Sequence, residues 1–198
     1  MAKLLYQGHA SFRIITDNEI VVYVDPFVGE GYNLPADIIL ITHEHPDHNK
    51  VELITRKENC SILRAETMLI NEDYKHVQIG NLDIEAVPAY NKNHDRNKCV
   101  GYVIHVDGVK IYAAGDTSTT EYMKTNLSKE FLDYALLPID GFYNMDTKEA
   151  EKCAKLIGAK HTIPIHTKAG ELFDIQEAEK FLPYNRLIIK PGKEIELK

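Results

Sequence analysis

The residues of this chain best suited to chemistry are concentrated in Thr42–His48, which reads Thr-His-Glu-His-Pro-Asp-His. Imidazole nitrogen and carboxylate oxygen are ligands that suit zinc and the neighbouring transition metals. The segment therefore predicts a metal site whose ligands include His43, His45, Asp47 and His48. The alternative interpretation is a polar turn that is only rich in histidine.

The spacing inside this segment favours two neighbouring metal ions. His43 and His45 are two positions apart, so in extended backbone their side chains point to the same side and can share one ion. Asp47 and His48 follow the turn at Pro46 and are displaced towards a second ion. A site for two ions needs two or three more ligands from elsewhere in the chain.

Three further candidate ligands lie in loops next to apolar segments. Asp116 follows the apolar run Val109–Ala113, His166 ends another apolar run, and His94 lies in a polar loop between two predicted strands. A single aspartate at a strand end is more often a helix cap than a ligand. The arrangement of a strand followed by a ligand nevertheless recurs, so we expect these side chains to join the histidine-rich segment.

The elements that position these residues are predicted from apolar runs and from the residues that interrupt them. A buried strand at Ile38–Thr42 places the histidine-rich segment at its C-terminal end, where α/β sheets usually carry their chemistry. Two helices are predicted from Asp146 to Gly158 and from Asp174 to Pro183, each beginning with an aspartate cap. Helices that cover a sheet sandwich fit this alternation. The other predicted strands are Leu4–Tyr6, Phe12–Thr16, Ile20–Val24, Leu82–Val87, Val100–Val106 and Val109–Ala113, with a hairpin turn at Asp107-Gly108.

Length and composition indicate one domain over residues 1–198. The chain is 44% apolar, enough for a substantial core, and no Pro/Gly/Ser-rich linker divides it. A net charge of −7 without a basic stretch argues against nucleic acid as a partner. We expect no signal peptide and no membrane-spanning segment, and three cysteines without a C-x-x-C pair favour free thiols in a reducing cytoplasm. We expect a cytoplasmic protein that acts on a small molecule away from membranes; its oligomeric state is left open.

Together these motifs resemble the metallo-β-lactamase-fold hydrolases, most closely the compact branch that includes the ascorbate-6-phosphate-lactonase-like proteins. The resemblance implies an α/β fold, a four-layer αββα sandwich of the metallo-β-lactamase type, with the metals at one edge. The matching segments run the length of the chain and are Gly8–Phe12, Val24–Phe27, His43–His48, Val87–Asn91 with His94, Tyr112–Thr117, Leu136–Pro138 and Ile163–His166.

The resemblance also implies a ligand set for two divalent ions. The ligands implied for the first ion are His43, His45 and His94. Those implied for the second ion are Asp47, His48 and His166. The ligand implied to bridge the two ions is Asp116, which with Asp47 supplies the carboxylates expected to be catalytic.

Further residues have supporting or uncertain roles by the same resemblance. Asp25 is expected to support the histidine loop through hydrogen bonds, and His9 to lie near the metals or the substrate, or to be structural. His76 is the alternative to His94 as a ligand. Asp140 stands where relatives often carry glycine, and we favour a turn-capping role for it over a place in the cleft.

The expected activity is metal-dependent hydrolysis of a small soluble ester, a lactone or a phosphodiester. A hydroxide that bridges two ions about 3.5–4 Å apart would be the nucleophile. Zinc is the expected ion, with manganese and iron as alternatives, and no residue stands out as the acid for the leaving group. A second hypothesis is a non-catalytic metal-binding or sensory module on the same fold. A third, oxidation at a di-iron site, is less favoured because such relatives usually replace a histidine of the first motif with a carboxylate.

Overall fold

Two six-stranded sheets form the framework of the computed structural model, which describes residues 1–198. The first sheet contains β1 (Lys3–Gly8), β2 (Ser11–Ile15), β3 (Val21–Val24), β4 (Ala36–Ile41), β5 (Arg56–Arg64) and β14 (Lys193–Glu196). The second contains β8 (His76–Ile79), β9 (Leu82–Pro88), β10 (Val100–Val106), β11 (Val109–Ala113), β12 (Tyr134–Pro138) and β13 (His161–Ile165). A separate ribbon pairs β6 (Leu69–Ile70) with β7 (Asp73–Tyr74).

Each sheet contains a parallel part, and this part sets where the loops meet. The spatial order is β14-β1-β2-β3-β4-β5 in one sheet and β13-β12-β11-β10-β9-β8 in the other. Strands β3, β4 and β5 run parallel, as do β11, β12 and β13, and the other pairs are antiparallel. Parallel neighbours bring the loops that follow them to the same edge of a sheet.

Strand β4 shows why the segment before the histidines is apolar at nearly every position. Ile38 and Leu40 face the core between the sheets, whereas Ile39 and Ile41 face the opposite side of the first sheet. Successive side chains of a strand point to opposite faces, and this strand is covered on both. The predicted strand is therefore present, and the histidine-rich segment begins directly after it.

The two sheets and their covering elements form the predicted αββα sandwich. The helices are α1 (Ala65–Met68), α2 (Glu121–Thr125), α3 (Thr147–Ile157) and α4 (Ile175–Lys180), with short 3₁₀ turns at Val51–Leu53 and Leu127–Lys129. The largest core, 29 buried residues, lies between the sheets, and a second core lies between α2, α3 and the outer face of the second sheet. The outer face of the first sheet has a smaller core of 6 buried residues, to which a loop and the 3₁₀ turn at Val51–Leu53 contribute. The helical layer on that side is thus thin.

Helix α3 follows its sequence signals closely. Asp146 accepts a hydrogen bond from the backbone N–H of Glu149 at 2.8 Å, and Gly158 ends the helix with φ +71°. The Glu149 carboxylate does not return to the cap; it accepts the backbone N–H of Thr119 at 2.9 Å. Asp174 caps α4 in the same manner as Asp146 caps α3. The capping aspartates were predictable because each satisfies an N–H group that a helix leaves without an internal partner.

The helices are short in this fold. The longest, α3, has 11 residues, and no helix has the length and apolar character needed to cross a bilayer.

Cys60, Cys99 and Cys153 are free thiols, as the sequence led us to expect.

Candidate metal centre

Four loops at one edge of the sandwich carry all the candidate metal ligands. The loop after β4 supplies His43, His45, Asp47 and His48, and the loops after β9, β11 and β13 supply His94, Asp116 and His166. Three other loops bring His9, Asp25 and Asp140 to the same region, following β1, β3 and β12. Residues from both halves of the chain therefore converge on one place.

The candidate ligands divide into groups whose ligand atoms are mutually close. The ligand atoms of His43, His45 and His94 all lie within 4.8 Å of one another. The same limit holds for a second group, which consists of His9, Asp47, His48 and His166. A third group, His43, His48 and Asp116, meets the same limit and joins the other two. The structure thus brings the expected ligands together, with His9 beside them, and their assignment to two ions stays a prediction.

Asp116 lies between these two groups and contacts both. Its carboxylate oxygens are 3.2 Å from Nε2 of His94 in the first group. They are 3.4 Å from Nε2 of His48 and 3.6 Å from Nε2 of His166 in the second group. The side chain is 3% exposed, so these contacts are made away from bulk water. A carboxylate in this position can be shared by two neighbouring cations.

The histidines of the centre are oriented by oxygen atoms behind their rings. Nδ1 of His43, His48 and His94 is hydrogen bonded at 2.9–3.0 Å to Thr42, Asp25 and Asn91, respectively. Nδ1 of His166 lies 3.0 Å from Asp140, a close contact without hydrogen-bond geometry. A proton on Nδ1 leaves the lone pair of Nε2 free to bind a metal. The rings of His43, His48 and His94 are therefore arranged as ligands that use Nε2, and the contact with Asp140 turns His166 in the same sense.

Several atoms at the middle of the cluster make no hydrogen bond within the protein. Nε2 of His43, His48 and His166 and Oδ1 of Asp116 are buried without a hydrogen bond. Buried polar atoms are almost always paired, so a convergent set without partners needs an explanation. Imidazole lone pairs around a carboxylate are the donor set of zinc, manganese and iron sites. The residues present thus fit divalent transition-metal ions.

A family comparison agrees with this chemistry, since the model of the β-lactamase superfamily domain matches residues 3–166. The chain belongs to this superfamily. A metal-dependent hydrolase of Thermococcus onnurineus is 33% identical, and one of Pyrococcus furiosus is 32% identical, each over 100% of both chains. The chain is therefore a metal-dependent hydrolase of the metallo-β-lactamase superfamily. The narrower resemblance to ascorbate-6-phosphate-lactonase-like proteins stays a prediction.

The fold of this hydrolase is also that of solved structures. A metallo hydrolase from the hyperthermophilic archaeon Ignicoccus hospitalis superimposes with a TM-score of 0.76 and 24% identity. The match covers 100% of this chain and 99% of that one. At this level of identity the likeness concerns the fold.

Asp25 holds the segment from Thr42 to His48 in place through hydrogen bonds. Its side chain is buried and accepts hydrogen bonds from the backbone N–H of Thr42 at 2.8 Å and from the Thr42 hydroxyl at 2.7 Å. The same carboxylate lies 2.9 Å from Nδ1 of His48. Asp25 therefore ties the first and last parts of the segment from Thr42 to His48 together.

His9 is a buried part of the same site. Its Nδ1 lies 3.0 Å from the backbone carbonyl of Glu171, and its Nε2 lies 3.1 Å from Asp47. The backbone carbonyl of His9 accepts the N–H of His166 at 2.7 Å, although φ of His9 is +56°, a region that few residues other than glycine adopt. His9 thus connects Asp47 to the loop that carries His166.

Burial and neighbouring charges set the protonation states of the metal-free site, and these suit a metal ligand at Asp116 and His43 but not at His48. Burial alone would raise the pKa of Asp116, but the charges of His48 and His166 hold it well below its usual range. Burial lowers the pKa of His43 well below its usual value, so this imidazole is neutral. Burial would also lower the pKa of His48, but Asp116 and Asp25 raise it to about 9. His48 is therefore protonated at neutral pH and would have to lose this proton before its Nε2 could bind a metal.

A cleft of about 550 Å³ opens above the cluster. It is lined by His45, Pro46, Asp47, Asn93, His94, Asp116, Tyr143, Ala169 and Gly170. Lys168, next to this wall, is paired with Glu171 and Asp174.

His76, the alternative to His94, is exposed on β8 and paired with Asp83, so the structure brings His94 and not His76 to the centre.

Asp140 has a larger role than the sequence suggested. The expected turn is present, because its Oδ1 accepts the backbone N–H groups of Phe142 at 2.7 Å and Tyr143 at 2.6 Å. Its Oδ2 lies 3.0 Å from Nδ1 of His166, so the turn-capping interpretation is incomplete. Asn91 and Asn144 also belong to the site; an asparagine in a polar loop gives no signal that would have identified them.

Proposed function

We propose that this hydrolase holds two divalent ions and uses them to cleave a small ester. In this proposal His43, His45 and His94 bind one ion. Asp47, His48 and His166 bind the other. Asp116 bridges the two, and its contacts with histidines of both groups, at 3.2–3.6 Å, are the observation that carries the proposal. Zinc suits this donor set best, and manganese and iron also suit it.

The residues of the chain hold the reaction site in place. When bound, two divalent ions supply a hydroxide nucleophile at neutral pH and a positive charge that polarises the substrate oxygen. Asp116 holds the two ligand groups at a fixed spacing and offsets part of the positive charge. Asp25, Asn91 and Asp140 keep the ring nitrogens in the state that binds metal, and His9 fixes the position of Asp47.

The substrate that fits best is a small soluble ester, either a lactone or a phosphodiester. A volume of about 550 Å³ lies within the range of roughly 300–1,000 Å³ usual for small-molecule sites. Tyr143 and Asn93 offer an aromatic ring and an amide to such a molecule. The net charge of −7 favours a small substrate over nucleic acid, and the free thiols favour action in the reducing cytoplasm.

Replacement of the bridging carboxylate tests this function. Asp116→Asn keeps the shape of the side chain and removes its charge, so we expect the metal content to fall below that of the unsubstituted chain. We expect kcat to fall by about 100-fold or more, measured with a lactone or phosphodiester that the unsubstituted chain hydrolyses. This loss exceeds the 10–100-fold loss typical of a residue that only supports a ligand.

The matched control is Asp83→Asn, which makes the same chemical change at an exposed position on β9. It should leave both metal content and kcat unchanged. An Asp116→Asn variant that folds, keeps its metal and retains kcat would refute the bridging role.

A further inference from the structure

A continuous chain of polar contacts runs behind the centre from His94 to His166. Nδ1 of His94 lies 2.9 Å from Oδ1 of Asn91. The side-chain amide of Asn91 donates to Oδ1 of Asn144 at 3.2 Å, and the amide of Asn144 donates to Oδ2 of Asp140 at 2.8 Å. The same oxygen of Asp140 lies 3.0 Å from Nδ1 of His166. Three side chains thus connect the outer nitrogens of two histidines that lie in different ligand groups.

The middle member of this chain has to accept one hydrogen bond and donate another. Asn144 accepts a hydrogen bond from one neighbour and donates one to the other, which neither a carboxylate nor an aliphatic side chain can do. The side chain of Asp140 is 0% exposed, so the donor that Asn144 supplies to it compensates a buried charge.

The same contacts anchor the loop at residues 141–144. Asp140 accepts N–H groups of this loop, and the amides of Asn91 and Asn93 each donate to the carbonyl of Tyr143 at 3.0 Å. Phe142 and Tyr143 are 66% and 46% exposed, so apolar packing contributes little to holding the loop. Tyr143 lines the cleft, and its position there depends on these polar contacts.

We propose that Asn144 is a positioning residue that couples the His94 side of the metal centre to the His166 side through Asn91 and Asp140. This inference rests on the proposed function, because it assigns the two histidines to different ions. Asn144 contacts neither ion in this arrangement. It fixes the orientation of the His94 and His166 rings together, so a change at one ligand group also changes the other. The position of Tyr143 in the cleft wall depends on the same contacts.

The test is a Co²⁺ titration of the full chain after removal of its metal. The visible spectrum of bound Co²⁺ reports the geometry of its ligands. If Asn144 only stabilised the loop, its substitution would leave this spectrum unchanged. For Asn144→Ala we expect Co²⁺ affinity to fall by about 10–100-fold, as for other residues that orient metal ligands. We also expect the spectrum of the bound ions to shift. Asn144→Asp keeps the acceptor for Asn91, loses the donor to Asp140, and should also weaken binding.

The matched control is Asn93→Ala. It removes a hydrogen bond to the same carbonyl of Tyr143 but leaves the chain of side chains from Asn91 to Asp140 intact. Co²⁺ affinity and spectrum should therefore be those of the unsubstituted chain. Thermal unfolding of each metal-free variant establishes that it is folded, and Asn144→Asp carries the test if Asn144→Ala does not fold.

The outcomes separate this inference from the proposed function. If the unsubstituted chain binds two Co²⁺ ions and the Asn144 variants do so with the same affinity and spectrum, the coupling is refuted while the metal centre stands. If Asn93→Ala weakens Co²⁺ binding as much as Asn144→Ala does, loop anchoring explains the effect and the coupling is again refuted. If the unsubstituted chain binds no Co²⁺, both the metal centre and the coupling are refuted.

Discussion

At the scale of single residues, the oxygens behind the histidine rings decide what those rings can bind. An imidazole offers one lone pair when it is neutral, and the group at its outer nitrogen determines which nitrogen carries that lone pair. Asp25 shows this most clearly, because its carboxylate is shared between Thr42 and His48. Asp25 therefore affects both the position of the loop at Thr42 and the nitrogen of His48 that can bind a metal.

We predict that Asp25→Asn weakens metal binding without abolishing the fold. An amide cannot accept hydrogen bonds at both ends, so either Thr42 or His48 loses its partner. Metal affinity should fall by about 10–100-fold, and the free energy of unfolding of the metal-free chain by roughly 1.5–3 kcal/mol. Isothermal titration with Zn²⁺ and denaturant unfolding measure the two effects.

Asp37→Asn is the control for this variant. Asp37 accepts hydrogen bonds from the backbone of Val21 and from Lys57, away from the ligand loops. This substitution should reduce stability and leave Zn²⁺ affinity unchanged. Unaltered affinity in Asp25→Asn would mean that His48 does not need its carboxylate partner.

The ligand types could be predicted from the sequence, whereas their supporting residues could be predicted only in part. Three histidines and an aspartate within the segment from His43 to His48 predict metal binding by their chemistry alone. Asn91 and Asn144 could not be identified, since their contacts join loops that only the fold brings together. Asp140 was assigned to a turn because a local signal cannot show where its second oxygen points.

At the scale of elements, the end of β11 approaches the end of β4 too closely for a side chain. Gly115 has φ +62°, and a Cβ atom there would lie 2.9 Å from Cβ of Thr42. Thr42 in turn contacts His43 and Asp25. The glycine before Asp116 therefore permits the two sheets to bring their ligand loops together.

We predict that Gly115→Ala damages the centre as well as the fold. The added methyl group must displace Thr42 or the loop of Asp116, which should lower stability by roughly 1–3 kcal/mol beyond the cost of the backbone conformation. Metal content and hydrolysis should fall with it. Elemental analysis and denaturant unfolding of the purified variant measure these effects.

Gly108→Ala is the matched control, because Gly108 also has a positive φ, +80°, but a Cβ there would meet nothing within 4 Å. It carries the backbone cost alone and should bind metal normally. Equal losses in the two variants would show that the contact with Thr42 is unimportant.

The central elements were predictable, and several edge elements were not. β4 is buried on both faces and reads as a continuous apolar run, and the turn at Asp107-Gly108 has the residues that a tight hairpin needs. β5 and β14 lie at the edges of the first sheet, where exposed polar residues dilute the alternation. Their pairing is set by the neighbouring strand and not by a local pattern.

At the scale of the whole molecule, the sandwich assembles a site whose parts are distant in sequence. His9 and His166 come from different sheets, yet the carbonyl of one accepts the N–H of the other. Local spacing suggested two ions but could not assign His94, Asp116 and His166 to them; the family resemblance implied that division. One large core draws on both sheets. A single domain over residues 1–198 stays a prediction.

The metal content of the purified chain tests the central claim most directly. Elemental mass spectrometry should be applied to protein prepared without chelators and without a metal-affinity column. We predict close to two zinc, manganese or iron ions per chain. Saturation at one ion per chain would contradict the bridging role of Asp116. No bound metal, even after incubation with zinc and manganese, would contradict the metal centre itself.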